Sequence, residues 1–193
     1  TRTWDYALLT GSSSIQHSLR CGAAVGLWTG SPRPDWIEAA DRMCTLIAHE
    51  PLAFQPKSRW AMDWYYPVLT GAIDGEPAKV RLADGWPDFS MEGLGIRCVG
   101  DEPWITASET AEASIAYAAT GDLATATDLL RWTRSHRCPD GSYVTGLVYP
   151  DRLVFPADET STYTAAAVIL AADAIDGASA ASDLFVPAAR RPD

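Results

Sequence analysis

Residues 108–121 read SETAEASIAYAATG, and this stretch decides the fold. Polar residues that favour helix starts open it, a run of small apolar residues follows, and Gly121 stops it. Three further stretches repeat the design: SSSIQHSLRCGAAVGLWTG at 12–30, MDWYYPVLTGAIDG at 62–75 and STYTAAAVILAADAIDG at 161–177. The closing residues Gly30, Gly75, Gly121 and Gly177 stand 45, 46 and 56 residues apart, a spacing that suggests a helical repeat.

Amphipathic helices are predicted between these. In 35–49, Trp36, Ala40, Met43, Cys44 and Ile47 mark one face, and in 122–135 Leu123, Ala126, Leu130 and Thr133 do the same. The four small-residue helices are apolar nearly all round and should be buried. These two amphipathic helices have a charged side and should face solvent. Alternation of the two predicts helical hairpins in two layers. Residues 93–99 and 143–155 read as extended loops or small hairpins, with CPDGS at 138–142 as a turn. The fold class expected is all-α with small extended loops, one helical domain over 1–178 and a loosely held Pro/Ala-rich tail over 179–193.

Composition narrows the function. The chain has 193 residues, enough for one buried core, with 47% hydrophobic and 21% charged residues. Its net charge of −10 repels phosphate backbones and anionic lipids, so nucleic acid is a poor partner. No stretch reaches the roughly 20 apolar residues of a membrane span. Cys21, Cys44, Cys98 and Cys138 form no CxxC pair, which removes spacing support for zinc. They read as reduced structural thiols in a cytoplasmic protein. The sequence begins TRTWD, without an initiator Met or signal-peptide character. No phosphate loop or Ser-His-Asp order is present, Gly93-Leu94-Gly95 falls short of GxGxxG, and no cofactor is implied.

If the four small-residue helices form an inner row, their N-termini share a rim. That rim gathers 10–14; Lys57, Arg59, Trp60 and Asp63; Trp104, Thr106 and Glu109; and 158–163. Such residues cap helices regardless of function. Together, flat aromatics beside carboxylates suit a sugar, whose ring faces are apolar and whose hydroxyls donate hydrogen bonds.

The order of motifs resembles the C-terminal half of a glucoamylase-like glycoside hydrolase, a six-hairpin (α/α)6 toroid. Trp4-Asp5 stands where that family has a Trp-Glu general acid, ahead of Ser14-Ile15-Gln16-His17-Ser18. Ala40-Asp41, Met62 to Pro67, Gly93 to Arg97, Pro103 to Thr106, Leu123 to Trp132 and Phe155 to Ala172 follow in the family's order. The chain is also similar to actinobacterial toroid proteins often labelled prenyltransferase. The resemblance implies part of an (α/α)6 toroid, and six hairpins need about 270 residues, so a missing N-terminal half or partner chain is expected to complete the ring. The family's Glu-Gln base is absent, and Asp140 is the nearest carboxylate in the corresponding loop.

The candidate catalytic pair is therefore Asp5 as acid and Asp140 as base, an inverting arrangement. Asp140 lies in Pro139-Asp140-Gly141, which is equally an ordinary turn. Candidate substrate contacts are Trp60, Asp63, Trp64, Arg97, Trp104, Glu109 and Tyr163. Asp63 could pair with Arg59 instead, Arg97 and Trp104 could anchor loops, and Glu109 could close a capping box with Thr106. His17 reads as a satisfied buried histidine. Three functions stay open: a glycan-active hydrolase or its sugar-binding relative, a terpenoid-cyclase or prenyltransferase-like toroid, and a non-catalytic scaffold. The second predicts a DxDD motif or a zinc set, and neither occurs.

Overall fold

The computed structural model describes residues 5–186, which form seven α-helices, three 3-10 turns and five short strands. Helices α1 (Leu9–Trp28), α3 (Ala61–Leu69), α5 (Ala107–Ala119) and α7 (Thr162–Asp176) pack side by side in that order. Helices α2 (Pro34–His49), α4 (Gly75–Phe89) and α6 (Leu123–Trp132) lie against α1, α3 and α5, giving the two layers of hairpins that the alternation predicts.

Helix α5 is the centre of the core, with all thirteen residues buried. Its alanines let α3, α6 and α7 approach closely, and Tyr65, Leu82, Ile115 and Leu129 fill the space between. Gln16 ties three helices together. Its side-chain amide donates to the Thr70 carbonyl at 2.8 Å, and its oxygen accepts from Arg20 and Cys44, each at 3.3 Å. Gly177 ends α7 in the left-handed conformation, φ 66°, a position that penalises any Cβ. The four cysteines are free thiols.

The all-α expectation needs correction. Strands β1 (Ser90–Met91), β2 (Gly95–Arg97), β3 (Trp104–Thr106), β4 (Gly146–Val148) and β5 (Leu153–Val154) form one antiparallel sheet in chain order. The stretches read as extended loops or small hairpins at 93–99 and 143–155 contribute β2, β4 and β5. Strands β2 and β4 flank β3 in the register Ile96↔Thr106 and Trp104↔Val148, and β5 pairs with β4. The β3–β4 pairing spans two intervening helices, and local sequence does not reveal so distant a partner.

Helix boundaries differ from the repeat reading at one place. Helix α3 ends at Leu69, and Gly75 begins α4 instead of closing α3. Thr70 terminates α3 and turns its hydroxyl back to the Tyr66 carbonyl at 2.8 Å. The sequence of α4 hides its helix behind Pro77, Gly85 and Pro87. Pro77 falls in the first turn, where helix amides lack partners anyway, and burial of Ala78, Leu82 and Phe89 holds the rest.

Burial also departs from expectation at the two ends of the row. Helix α1 buries Ser13, Gln16, Ala23 and Gly26 but leaves Val25, Leu27 and Trp28 outside, Trp28 at 85% exposure. At the opposite end, Ile169 of α7 is 67% exposed. The tail is not loose up to residue 186: Ala180–Leu184 forms a 3-10 turn, Ser182 and Val186 are buried, and Phe185 stacks on His17 at 5.1 Å. The remainder of the tail lies outside the described residues.

Candidate functional site

The four inner helices line one cleft of about 460 Å³. Helical spacing explains the lining. On α1, Ser14, His17 and Cys21 fall on one stripe, and Thr10 continues it toward the N-terminus. On α3, Tyr66 and Thr70 line the cleft and Asp63 stands one turn above them. Glu112 and Ile115 on α5 and Tyr163 and Leu170 on α7 complete the walls. The N-terminal end is thus polar. The C-terminal end is apolar and closed by Leu184 and Phe185.

Glu112 is the chemical centre. It is 7% exposed in a helix otherwise made almost wholly of small residues. Tyr65 donates to Oε2 at 2.5 Å, while Tyr66, at 3.4 Å, and Tyr163 donate to Oε1. Burial raises the carboxyl to about 7, and the neighbouring Glu109 charge adds to the rise. The tyrosine hydroxyls oppose it by favouring the ionised form. Burial pushes the hydroxyls up in turn, Tyr66 to about 12, with the Glu112 charge contributing. These phenols stay protonated and remain donors.

Glu109 lies one turn before Glu112 and is also buried. Its Oε2 accepts from Thr106 and, at 2.7 Å, from Ser108. The T-x-x-E spacing therefore brings Thr106 and Glu109 together, but as hydroxyl to carboxylate and without a side-chain cap on the backbone. Burial pushes the nearby Cys98 thiol up, with Glu109 adding to the effect. The sheet places this cluster: Thr106 ends β3 and is the N-cap of α5, and the Ala107 amide donates to the Thr145 carbonyl at 3.1 Å.

Asp63 is nearly buried, and its Oδ1 accepts from Thr10 at 2.6 Å. Arg59 does not pair with it; that guanidinium meets Asp101 at 2.7 Å. Across the cleft, His17 packs face to face on Phe185 and is held low by burial, with Cys21 Sγ 3.7 Å from Nε2. It is a wall residue of the cleft, not the enclosed histidine that the sequence suggests.

The other sequence candidates fall elsewhere. Asp5 is exposed in the segment before α1 and does not line the cleft. Asp140 is exposed, and its Oδ1 accepts from the Ser142 amide at 3.0 Å and hydroxyl at 2.7 Å. That is the turn its Pro-Asp-Gly setting predicts, and these two donors hold the carboxyl below the usual range. Trp64 is buried against Phe89 and faces α4 instead of a ligand. Arg97 donates to the carbonyls of Asp88 and Ser90, anchoring the chain before β1. Trp104 donates to the Phe155 carbonyl at 3.1 Å, anchoring the end of β5. Trp60 is half exposed at the N-cap of α3. Of the nine candidates, Tyr163 lines the cleft, Asp63 and Glu109 border it, and Glu112, Tyr65 and Tyr66 are additions. The signal for Glu112 is present in residues 108–121 as a charge inside an alanine-rich buried run.

Among the described residues no group of three or more His, Cys, Asp or Glu side chains is arranged to hold a metal ion. Among the described residues no helix is long and apolar enough to cross a membrane.

The fold and site define a class: a two-layered helical-hairpin protein with a buried carboxylate–tyrosine cluster beneath an open cleft. No family model matches the chain. Over 182 residues, 94% of its length, it is 47% identical to a protein of Mycolicibacterium hassiacum described as MMP endo-(1,4)-3-O-methyl-alpha-D-mannosidase. The match covers 50% of that relative, so the chain spans about half its length.

Proposed function

We propose that this chain is the half of an (α/α)6 toroid that carries the acid of an inverting glycan hydrolase acting on α-mannosides with 3-O-methyl groups. The observation that carries the reading is Glu112: a buried carboxyl raised to about 7 at the base of an open cleft, the property that general-acid catalysis requires. The similarity to a mannosidase supports the substrate class.

In this reading Glu112 gives its proton to the glycosidic oxygen as the bond to the anomeric carbon breaks. Water attacks that carbon from the opposite face, and its proton passes to a carboxylate at the mouth, for which Asp63 is the candidate. Tyr66 and Tyr163 hold Glu112 and offer aromatic faces to the sugar ring. Carboxylates at the cleft favour a glycan over an isoprenoid, whose carbocations need an aromatic-lined apolar chamber. The exposed flanks at Leu27, Trp28 and Ile169 are where the preceding half of a longer chain, or a partner chain, completes the ring.

The test is reducing-end release from 3-O-methylmannose oligosaccharides, alone and with the remaining half of the toroid supplied. Glu112→Gln should lower the rate by about 10²–10⁴-fold while retaining substrate binding. An unaltered rate in that variant removes Glu112 from the chemistry.

A further inference from the structure

Proline at position 67 opens a gap in α3 that another residue fills. In an α-helix the carbonyl of residue 63 accepts from the amide of residue 67, and a proline there has no amide hydrogen. The chain nevertheless keeps α3 helical through Leu69, with Pro67 inside it. The unserved carbonyl belongs to Asp63, one helical turn before the cleft-lining Tyr66.

Arg81, on the outer helix α4, reaches that carbonyl. Its Nη2 donates to the Asp63 carbonyl at 2.6 Å, and its Nε donates to the Trp64 carbonyl at 2.8 Å. The contact is reciprocal, because the Trp64 indole N–H donates to the Arg81 carbonyl at 2.9 Å. Space for this lock is cut into α4: a Cβ on Gly85 would lie 2.4 Å from Trp64 Cδ1. Trp64 completes it by stacking on Phe89 with ring planes 13° apart. The arginine fork is spent on main-chain carbonyls. Asp63 therefore keeps its carboxylate for Thr10 and for a ligand. Burial pulls the guanidinium down and the Asp63 charge draws it back up, so the two groups also sense each other electrostatically.

We propose that Arg81 is a positioning residue: it replaces the amide that Pro67 lacks and so fixes the backbone that holds Asp63 beside the cleft. The inference rests on the reading of the cleft as a mannoside site. It also accounts for a polar, half-buried arginine whose bonds to α3 would otherwise be only packing. Removing Arg81 releases a turn of α3 that carries Asp63, whereas restoring an amide at 67 makes Arg81 dispensable.

The experiment compares wild type, Arg81→Met, Arg81→Lys, Pro67→Ala and the double variant Pro67→Ala/Arg81→Met. Each is measured for melting temperature and for affinity toward methyl 3-O-methyl-α-D-mannopyranoside. Arg81→Met should weaken binding about tenfold, since small misplacements at a site have large effects. Arg81→Lys, which can serve one carbonyl, should lose less. Pro67→Ala should bind as wild type, and the double variant should regain most of the affinity that Arg81→Met loses. Equal losses in the single and double variants would overturn the proposal, as would wild-type binding by Arg81→Met. If Arg81→Met does not fold, recovery of fold and binding in the double variant still supports it, and no recovery overturns it. Wild type that binds no mannoside defeats the glycan reading instead. The positioning role is then decided by the Asp63 carboxyl carbon resonance, which Arg81→Met should move and the double variant should return.

Discussion

Tyr65 donates its phenolic proton to Oε2 of Glu112 at 2.5 Å, and both side chains are shut away from solvent. A solvated carboxyl with this donor would ionise readily. Glu112 does not, because burial outweighs the hydroxyls and Glu109 lies one turn away. The cluster is thus balanced between a neutral acid and an anion near neutral pH.

That balance makes stability depend on pH. The folded value, about 7, lies above the ordinary carboxylate value, so the folded state holds a proton that the unfolded state has released. The stability from this group is fully present at acid pH and is lost as pH rises toward and through 7. A shift of this size corresponds to about 3 kcal/mol. Glu112→Gln should abolish this decline between about pH 5 and 7, read from melting temperature against pH. A parallel decline in the variant would assign the effect to another group.

Tyr65→Phe removes one donor without opening a cavity. A hydrogen bond to a charged group contributes about 1.5–3 kcal/mol, and the loss applies to the ionised form of Glu112. The variant should therefore be less stable at alkaline pH, and its Glu112 should titrate higher than in wild type. Carboxyl carbon NMR reads the direction. A lower midpoint would contradict the assignment of Tyr65 as a donor that favours the anion.

Much of this arrangement is legible before any coordinates. Small-residue runs give α1, α5 and α7 because apolar periodicity and terminal glycines are local signals. The rim grouping is legible in part, since Thr10 bonds Asp63 and Tyr163 lines the cleft. Two kinds of information are not local. The β3–β4 ladder joins residues 40 to 44 positions apart, and nothing near Trp104 names Val148 as its partner. Helix α4 contradicts its own propensities at Pro77, Gly85 and Pro87 and exists because α3 supplies a surface for it. Trp64, Trp104 and Arg97 look functional by residue type, yet their polar atoms all end on main-chain carbonyls. Residue type alone does not distinguish an anchor from a ligand contact.

His136 provides a second, opposite pH dependence. It is fully enclosed where α6 gives way to a 3-10 turn, with Nε2 3.2 Å from the Ile105 carbonyl and Nδ1 3.0 Å from the Ser135 hydroxyl. Burial holds the ring below its ordinary value, and nearby Arg152 adds to the lowering. The unfolded chain therefore takes up a proton first as pH falls. This contribution is present above the ordinary histidine value, near pH 6.5, and is lost as pH falls below it. His136→Gln should flatten the acid side of the stability profile while leaving the Glu112 decline in place. If the acid side is unchanged, the ring is not the group responsible.

Under the proposed mannoside reading, the apolar end of the cleft receives the methyl ether. Leu170, Ile115 and Phe185 line it and offer no hydrogen-bond partner through their side chains. A sugar hydroxyl buried there would leave its donor unsatisfied, whereas a methyl ether has no donor to satisfy and adds apolar surface. The wall should therefore prefer a 3-O-methyl mannoside over the free hydroxyl. Leu170→Asn supplies a partner for the hydroxyl and removes part of the apolar contact. It should lower the ratio of affinities for methyl 3-O-methyl-α-D-mannopyranoside and methyl α-D-mannopyranoside by about tenfold. Calorimetric titration of both sugars into wild type and variant checks this, because a general loss of fold would reduce both affinities and leave their ratio intact. A ratio that stays constant while the variant remains folded would place the methyl group somewhere other than this wall.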